Sequence, residues 1–319
     1  MLKPRSLALL GALFVCHLAT ASGARITEGH IKNIVTFGDS YTSIDLPQDG
    51  GQAWPVYLAG YANISLHSYA RVAATCSPNL TTSLVASVLN DELPLYFTEK
   101  NNGSLGSLES DTTLYTNWIG TNDIGYSGLL TGQAQDGASI VDTTECAVGW
   151  LKTLYDSGAR NFIFQNLLPL QLLPTYAPDA YPSKFWNAER NTTEWHIGIA
   201  ELVRSGNKLA ELMLTQMAAN LSDAHIGIFD SYGLFQDMYS NPSKYLNGTA
   251  PLNVTGAAIS CVYDLEKAAT DCTNATGSQL DSYLWYNEMH PGEQANRVIA
   301  QQFSEIISNG TNAWLRWLH

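Results

Sequence analysis

Short apolar segments with the character of buried strands alternate along this chain with longer segments of helical periodicity. Glycine or polar residues bound the apolar segments, which is typical of strands buried on both faces. Such alternation places helices on both sides of a mostly parallel sheet. The sequence therefore predicts an α/β fold, a three-layer α/β/α sandwich with a five-stranded sheet. The predicted strands are 31–37, 66–70, 113–119, 162–164 and 226–229.

Three amphipathic helices have recognisable ends. A capping box at Asp142–Glu145 predicts the start of the first, and Gly158 predicts its end. The second is expected to begin near Thr193, and the third at Pro291, a residue favoured in the first helical turn. No Gly/Ser/Pro-rich linker and no internal repeat divides the chain, so 25–319 is predicted to be a single domain. The predicted buried residues of the helices are Ala147, Val148, Leu151, Leu154 and Tyr155; Ile199, Leu202, Val203, Leu209, Leu212, Met213 and Met217; and Val298, Phe303, Ile306 and Ile307.

The first residues have the pattern of a secretory signal peptide. Lys3 and Arg5 precede an apolar run from Leu7 to Leu18, and small residues follow at 19–24. The apolar run is too short for a stable membrane span, although a signal anchor is the alternative. We therefore expect residues 1–24 to be removed and the protein to be secreted, extracellular and without stable membrane association.

Charge and glycosylation signals agree with export. Without Lys3 and Arg5, 14 basic and 29 acidic residues remain, a formal charge of 14 − 29 = −15. Such a charge disfavours nucleic acids and anionic membranes, so we expect no nucleic-acid partner. Nine Asn-x-Ser/Thr sequons predict a glycoprotein. They begin at Asn63, Asn79, Asn102, Asn191, Asn220, Asn247, Asn253, Asn274 and Asn309.

Four cysteines remain once the predicted signal peptide is removed, an even number that suits an oxidising compartment. Three pairings are possible, and we favour a local Cys261–Cys272 bond and a longer Cys76–Cys146 tie. The alternative of metal binding lacks any C-x-x-C spacing, and we expect no metal or organic cofactor. The segment 247–278 combines three sequons with two of the cysteines, which predicts a surface insertion held by a disulfide.

Three polar motifs lie next to predicted elements. Gly38-Asp39-Ser40 follows the first strand, Gly120-Thr-Asn-Asp123 follows the third, and His290-Pro291 precedes the last helix. The carboxyl ends of strands are where open α/β sheets place their ligand sites. The three motifs are therefore predicted to meet at one edge of the sheet.

The residues in these motifs suit acyl transfer. A serine hydroxyl is a weak nucleophile until a base removes its proton, so we predict Ser40 as nucleophile and His290 as base. The Ser40 N–H and the Asn122 amide would stabilise the developing oxyanion, while Asp39 and Asp123 are expected to bond loop backbone beneath the site. Taken singly, each has a structural alternative, such as an N-cap for Ser40 or a turn for Asn122. The ordered combination favours catalysis.

The ordered motifs resemble the SGNH hydrolase superfamily, also called GDSL esterases and lipases, and in particular the fungal acetyl esterases of carbohydrate esterase family sixteen. The resemblance extends from Ile31 to about Ile307. It implies a flavodoxin-like SGNH fold and a serine esterase that removes short acyl groups, above all acetyl, from carbohydrates such as hemicellulose oligosaccharides. The implied partner is a small-molecule or oligosaccharide ester, and we expect a monomer.

Two positions depart from the family pattern. Ala73 stands where the resemblance implies a glycine whose N–H joins the oxyanion hole, and alanine keeps that N–H. Asn287 stands where it implies the triad Asp, three residues before His290. The amide oxygen can accept a bond from the imidazole but brings no charge, and the amide NH₂ could instead face the ring and leave Nε2 protonated.

These departures leave alternatives open. The chain could be a secreted GDSL lipase or phospholipase, or a low-activity or pseudo-enzyme glycoprotein because Asn287 replaces the expected Asp. Trp54, Trp118 and Trp285 lie near the motifs, and we expect Trp54 and Trp285 to stack on sugar rings. Their alternative is burial in the core.

Overall fold

The computed structural model describes residues 26–45, 51–82, 85–264 and 269–318, with only the backbone described at 269 and 270. The predicted signal peptide lies outside these residues. The strands are β1 (Asn33–Gly38), β2 (Ser65–Ser68), β3 (Thr113–Trp118), β4 (Asn161–Gln165), β5 (His225–Phe229), β6 (Asn253–Ala257), β7 (Ile259–Asp264), β8 (Ala269–Asn274), β9 (Tyr283–Trp285) and β10 (Leu315–Leu318). The helices are α1 (Trp54–Ala62), α2 (Leu93–Asn102), α3 (Thr121–Ile124), α4 (Ile140–Asp156), α5 (Thr192–Ala218), α6 (Ser231–Ser240) and α7 (Glu293–Asn309).

The central sheet has six strands in the order β10-β5-β4-β3-β1-β2. The five predicted strands are all present and parallel to one another, and β10 joins them as an antiparallel sixth strand beside β5. The prediction of five strands is thus one short. Strand β10 follows the last helix and is only four residues long. A run this short cannot be distinguished by sequence from an irregular C-terminal segment.

Successive residues of the inner strands enter two separate cores. On β4, Ile163 faces one core while Phe162 and Phe164 face the other, as the two-residue period of a strand requires. Helices α1 and α7 cover the first face, α2 and α4 cover the second, and α5 contributes to both. These layers confirm the predicted α/β/α sandwich.

Two predicted helix starts are wrong. Helix α4 begins at Ile140, and its capping box joins Ser139 to Asp142, so Asp142–Glu145 lies inside the helix. Helix α7 begins at Glu293 because Pro291 forms an isolated bridge with Trp285 before the helix starts. The helix residues predicted to be buried are mostly buried or half-buried, but Leu212 on α5 is exposed.

Both favoured disulfides are present, Cys76–Cys146 and Cys261–Cys272. Cys261 lies opposite Cys272 in the antiparallel hairpin of β7 and β8. The segment 247–278 also contains β6, which pairs with β9 just before the His290 loop. The predicted insertion is therefore tied by backbone pairing to the strand that leads into this loop. No helix of the described ranges is both long and apolar enough to cross a bilayer.

Gly38 ends β1, paired with Trp118 of β3. Its φ is +135°, and a Cβ there would overlap the carbonyl oxygen of Trp118. The next residue, Asp39, donates its N–H to the same oxygen at 3.1 Å. Because Gly38 has no side chain, the backbone can turn directly over the end of β3. This turn determines the position of Ser40, two residues later.

We expect Gly38→Ala to lower the free energy of unfolding by about 3 kcal/mol or to prevent folding, because both the φ angle and the contact with Trp118 exclude a Cβ. Gly149→Ala is the matched control, since it lies within α4 with open space at its Cβ position. That control should stabilise by about 0.5–1 kcal/mol. Urea denaturation measures both, and a Gly38→Ala protein as stable as wild type would contradict the close approach.

Candidate active site

The hydroxyl of Ser40 and the imidazole of His290 meet beyond the carboxyl end of β1. The Oγ of Ser40 lies 2.9 Å from Nε2 of His290, although the two residues are 250 positions apart. Ser40 is half-buried and His290 is buried. The structure therefore brings together the predicted nucleophile and base at hydrogen-bond distance.

Residues 286–290 form a tight loop between β9 and α7. The Tyr286 N–H donates to the carbonyl oxygen of His290 at 2.8 Å and closes the loop. Tyr41, which directly follows Ser40, donates its hydroxyl to the carbonyl oxygen of Met289 at 2.9 Å. This bond holds the serine and histidine loops against each other.

The Oδ1 atom of Asn287 lies at the centre of the loop. It accepts the N–H groups of Met289 at 2.9 Å and of His290 at 3.0 Å, and it lies 2.9 Å from Nδ1 of His290. Because the two backbone groups can only donate, the atom they share must be the amide oxygen. Nδ1 must then carry the proton of the neutral ring.

This tautomer leaves the lone pair of Nε2 facing the Ser40 hydroxyl. The arrangement in which the Asn287 NH₂ group faces the ring, left open by the sequence, does not fit these contacts. Asn287 thus orients His290 as a triad carboxylate would, but without the negative charge.

The imidazole of His290 is strongly biased towards its neutral form. Burial, and to a lesser extent the positive charge of Lys184, lower its pKa from 6.5 to about 3. Asn287 carries no charge that could raise it. The ring therefore remains available as a base in acidic solution.

Two loops beside Ser40 hold the other predicted oxyanion donors. Ala73 is exposed and has φ +59°, a left-handed conformation that favours glycine. Asn122, in α3 after β3, donates its side-chain N–H to the carbonyl oxygen of Ala74 at 2.8 Å. This bond fixes the Asn122 amide against the Ala73 loop and uses one of its two N–H groups.

Buried carboxyl groups support these loops from below. Asp39 accepts the Tyr41 N–H at 3.0 Å, and both oxygens of Asp123 lie 3.1 Å from the Cys76 nitrogen. These contacts are the backbone bonds expected of Asp39 and Asp123. Burial raises the pKa of each to about 7, and the charge of Asp123 adds to the rise at Asp39.

Glu288 anchors the histidine loop and was not identified from the sequence. Its carboxylate accepts the Cys261 N–H at 2.6 Å and the Tyr181 hydroxyl at 3.0 Å. Its backbone oxygen accepts the N–H and the hydroxyl of Thr175 at 3.1 and 2.8 Å. These partners are distant in sequence, so no local pattern signals the role.

The expectation that Trp54 and Trp285 stack on substrate is corrected by their positions. Trp54 is fully buried and stacks on Phe303, while Trp285 is fully buried and stacks on Phe235. Trp118 is buried as well. None of the three presents a ring face to solvent, so the core alternative holds.

Phe185 is an aromatic residue beside His290 that is not buried in the core, unlike the three tryptophans. Its ring centroid lies 5.9 Å from that of His290, and the residue is half-buried. Tyr126 lies next to it, with ring centroids 6.5 Å apart. No sequence pattern indicates this role for Phe185, because the residue is far from all three motifs.

Comparisons with known proteins identify the family of this chain. A family model described as GDSL-like Lipase/Acylhydrolase matches residues 34–303, which include Ser40, Asn122 and His290. An acetylesterase of Hypocrea jecorina is 28% identical over 327 residues, covering 90% of this chain and 92% of that protein. An acetylesterase of Thermothelomyces thermophilus is 25% identical over 326 residues, with the same two coverages. Among solved structures, an acetyl xylan esterase of Geobacillus stearothermophilus has a TM-score of 0.44 and 11% identity, covering 90% of this chain and 98% of that one.

The buried carboxyls predict a protein that is more stable in acid. Their folded pKa of about 7 exceeds the unfolded value of about 3.9. Their contribution to stability is therefore fully present below about pH 4 and lost as the pH rises towards 7. We expect the melting temperature to fall from pH 5 to pH 8. Asp123→Asn, which keeps an acceptor but cannot ionise, should reduce this fall, whereas the exposed Asp179→Asn should not. An unchanged slope in Asp123→Asn would contradict the assignment.

Proposed function

The chain belongs to the GDSL-like lipase/acylhydrolase family of carboxylic ester hydrolases, and we propose that it is a secreted esterase that removes acetyl groups from carbohydrates. The observation that carries the proposal is the contact between Ser40 Oγ and an imidazole whose Nε2 lone pair is free to accept its proton. The full-length similarity to two fungal acetylesterases supports acetyl as the acyl group. The two disulfides and the sequons support secretion.

In this mechanism, Ser40 Oγ attacks the ester carbonyl carbon while His290 Nε2 takes the hydroxyl proton. The N–H groups of Ser40 and Ala73 and the remaining Asn122 amide N–H stabilise the oxyanion. His290 then returns the proton to the departing alcohol, which leaves an acetyl-enzyme. Water, deprotonated by the same imidazole, attacks the acetyl carbon and releases acetate and Ser40.

Asn287 has one of the two roles of a triad acid in this proposal. It holds the Nδ1–H tautomer, so the base is in the correct form before substrate arrives. It does not stabilise the imidazolium that forms when Ser40 attacks, because it is neutral. We therefore propose an active enzyme with a slower chemical step than an Asp at this position would give, and not a pseudo-enzyme.

The first test concerns the nucleophile. A fluorophosphonate probe should label the wild-type protein and Ser205→Ala, an exposed-serine control on α5, but not Ser40→Ala. Hydrolysis of 4-nitrophenyl acetate should fall by more than about 10⁴-fold in Ser40→Ala, the scale of loss when a serine nucleophile is removed. Retained turnover in that variant would refute Ser40. Rates that rise from acetate to palmitate would favour a lipase instead.

The second test concerns Asn287. Asn287→Asp can accept the same three bonds and adds a negative charge beside His290, so it should raise kcat by about 10- to 1000-fold, the effect of one to three pKa units. The base acts only when neutral. Raising its pKa should therefore shift the acid limb of kcat/KM from near pH 3 to a higher pH.

Asn187→Asp is the control for this test, because it adds the same charge at an exposed position two residues after Phe185. Asn187→Asp should change kcat, and the pH of the acid limb of kcat/KM, less than Asn287→Asp does. An Asn287→Asp protein with the wild-type rate and pH profile would show that Asn287 does not act through His290.

A further inference from the structure

Lys184 differs from the other lysine and arginine residues that the structure describes. Each of the others pairs with a carboxylate or donates to a carbonyl oxygen, as Arg71 does with Asp45. The ammonium of Lys184 has neither kind of partner among the described residues and lies over the Phe185 ring, 4.9 Å from its centroid. In a chain with 16 basic and 29 acidic residues, an exposed cation without a carboxylate partner is notable.

The backbone holds Lys184 and Phe185 in a tight turn. The Ser183 N–H donates to the carbonyl oxygen of Trp186 at 2.9 Å and closes the turn. Ser183 also bridges Val262 on β7, and the Tyr263 N–H donates to the carbonyl oxygen of Pro182 at 2.8 Å. The disulfide-bonded hairpin of β7 and β8 therefore fixes this turn beside His290.

A cation in this position opposes the chemistry of the site. The proposed mechanism converts His290 to an imidazolium, and the positive charge of Lys184 disfavours that state. The neutral Asn287 cannot offset the repulsion. Lys184 therefore hinders catalysis unless the substrate itself supplies a negative charge.

We propose that Lys184 and Phe185 bind a carboxylate-bearing sugar on the alcohol side of the ester, so that the preferred substrates are acetylated saccharides containing a uronic acid. This inference rests on the proposed function. His290 must return a proton to the departing alcohol, so the sugar leaves beside this imidazole, where Phe185 lies. The Phe185 ring would pack on the apolar face of the sugar. The carboxylate would neutralise Lys184 and remove its opposition to the imidazolium.

The test compares an acetylated uronic acid oligosaccharide with its neutral methyl ester. Wild type should have a kcat/KM about two- to fivefold higher for the acid, the range expected of an exposed ion pair, and high salt should reduce the difference. Lys184→Gln should abolish the preference, Lys184→Arg should keep it, and Lys184→Glu should reverse it. Lys152→Gln, which breaks an exposed ion pair with Asp156 on α4, is the control and should leave it unchanged. Equal rates on the two substrates in wild type, or an unchanged preference in Lys184→Gln, would overturn the proposal.

A second pair of substrates places the carboxylate on the acyl side. If 4-nitrophenyl hemisuccinate is preferred over 4-nitrophenyl acetate through Lys184, and the uronic acid is not preferred, the alcohol-side assignment is wrong. Failure of the proposed function is recognised separately, because 4-nitrophenyl acetate would then not be hydrolysed and Ser40 would not be labelled.

Calorimetry on Ser40→Ala tests the same inference without turnover. The uronic acid oligosaccharide should bind more tightly than its methyl ester, and adding Lys184→Gln should remove the difference. Equal affinities in Ser40→Ala would overturn the inference.

Discussion

One carbonyl oxygen, Oδ1 of Asn287, organises the loop that carries His290. It accepts two backbone N–H groups and the imidazole proton, so the same atom determines the loop conformation, the ring orientation and the tautomer of His290. A carboxylate could make the same three bonds. The difference between Asn and Asp at this position is therefore one of charge and not of geometry. The imidazole of His290 therefore has the same orientation and tautomer that an Asp at this position would give it.

The parts of this structure that follow from local patterns could be predicted from the sequence. The strand periods predicted the layers. The end of β1 in a parallel sheet predicted where Ser40 lies, whereas His290 was matched to it by the order of the motifs, since its loop follows β9 outside the central sheet. Distant contacts that neither a motif nor a cysteine signals could not be predicted. Proximity to a motif suggested substrate roles for Trp54 and Trp285, yet packing against α6 and α7 buries both. Glu288 depends on a hairpin and a turn that no local pattern connects to it.

Exclusion of water has one consistent effect on the ionisable groups of the site. It favours the neutral imidazole at His290 and the protonated carboxyl at Asp39 and Asp123, since a charge loses its hydration when it is buried. His290 is thereby kept neutral in acid, and the carboxyls beneath it are least costly to bury at acidic pH, where they are protonated. The two effects on stability have opposite signs, because protonated buried carboxyls favour the folded protein in acid, whereas a neutral buried imidazole favours it above the ordinary pKa of histidine.

The two outer strands of the sheet, β2 and β10, have only four residues each. Short edges offer few unpaired backbone groups to a second chain, which limits aggregation through edge-to-edge pairing. The sequon at Asn63 lies two residues before β2, so a glycan there would stand beside one edge as a steric barrier. Material produced in a host that does not glycosylate would lose that barrier while keeping the catalytic geometry. At that edge, protection against strand pairing between molecules would then depend on the shortness of β2.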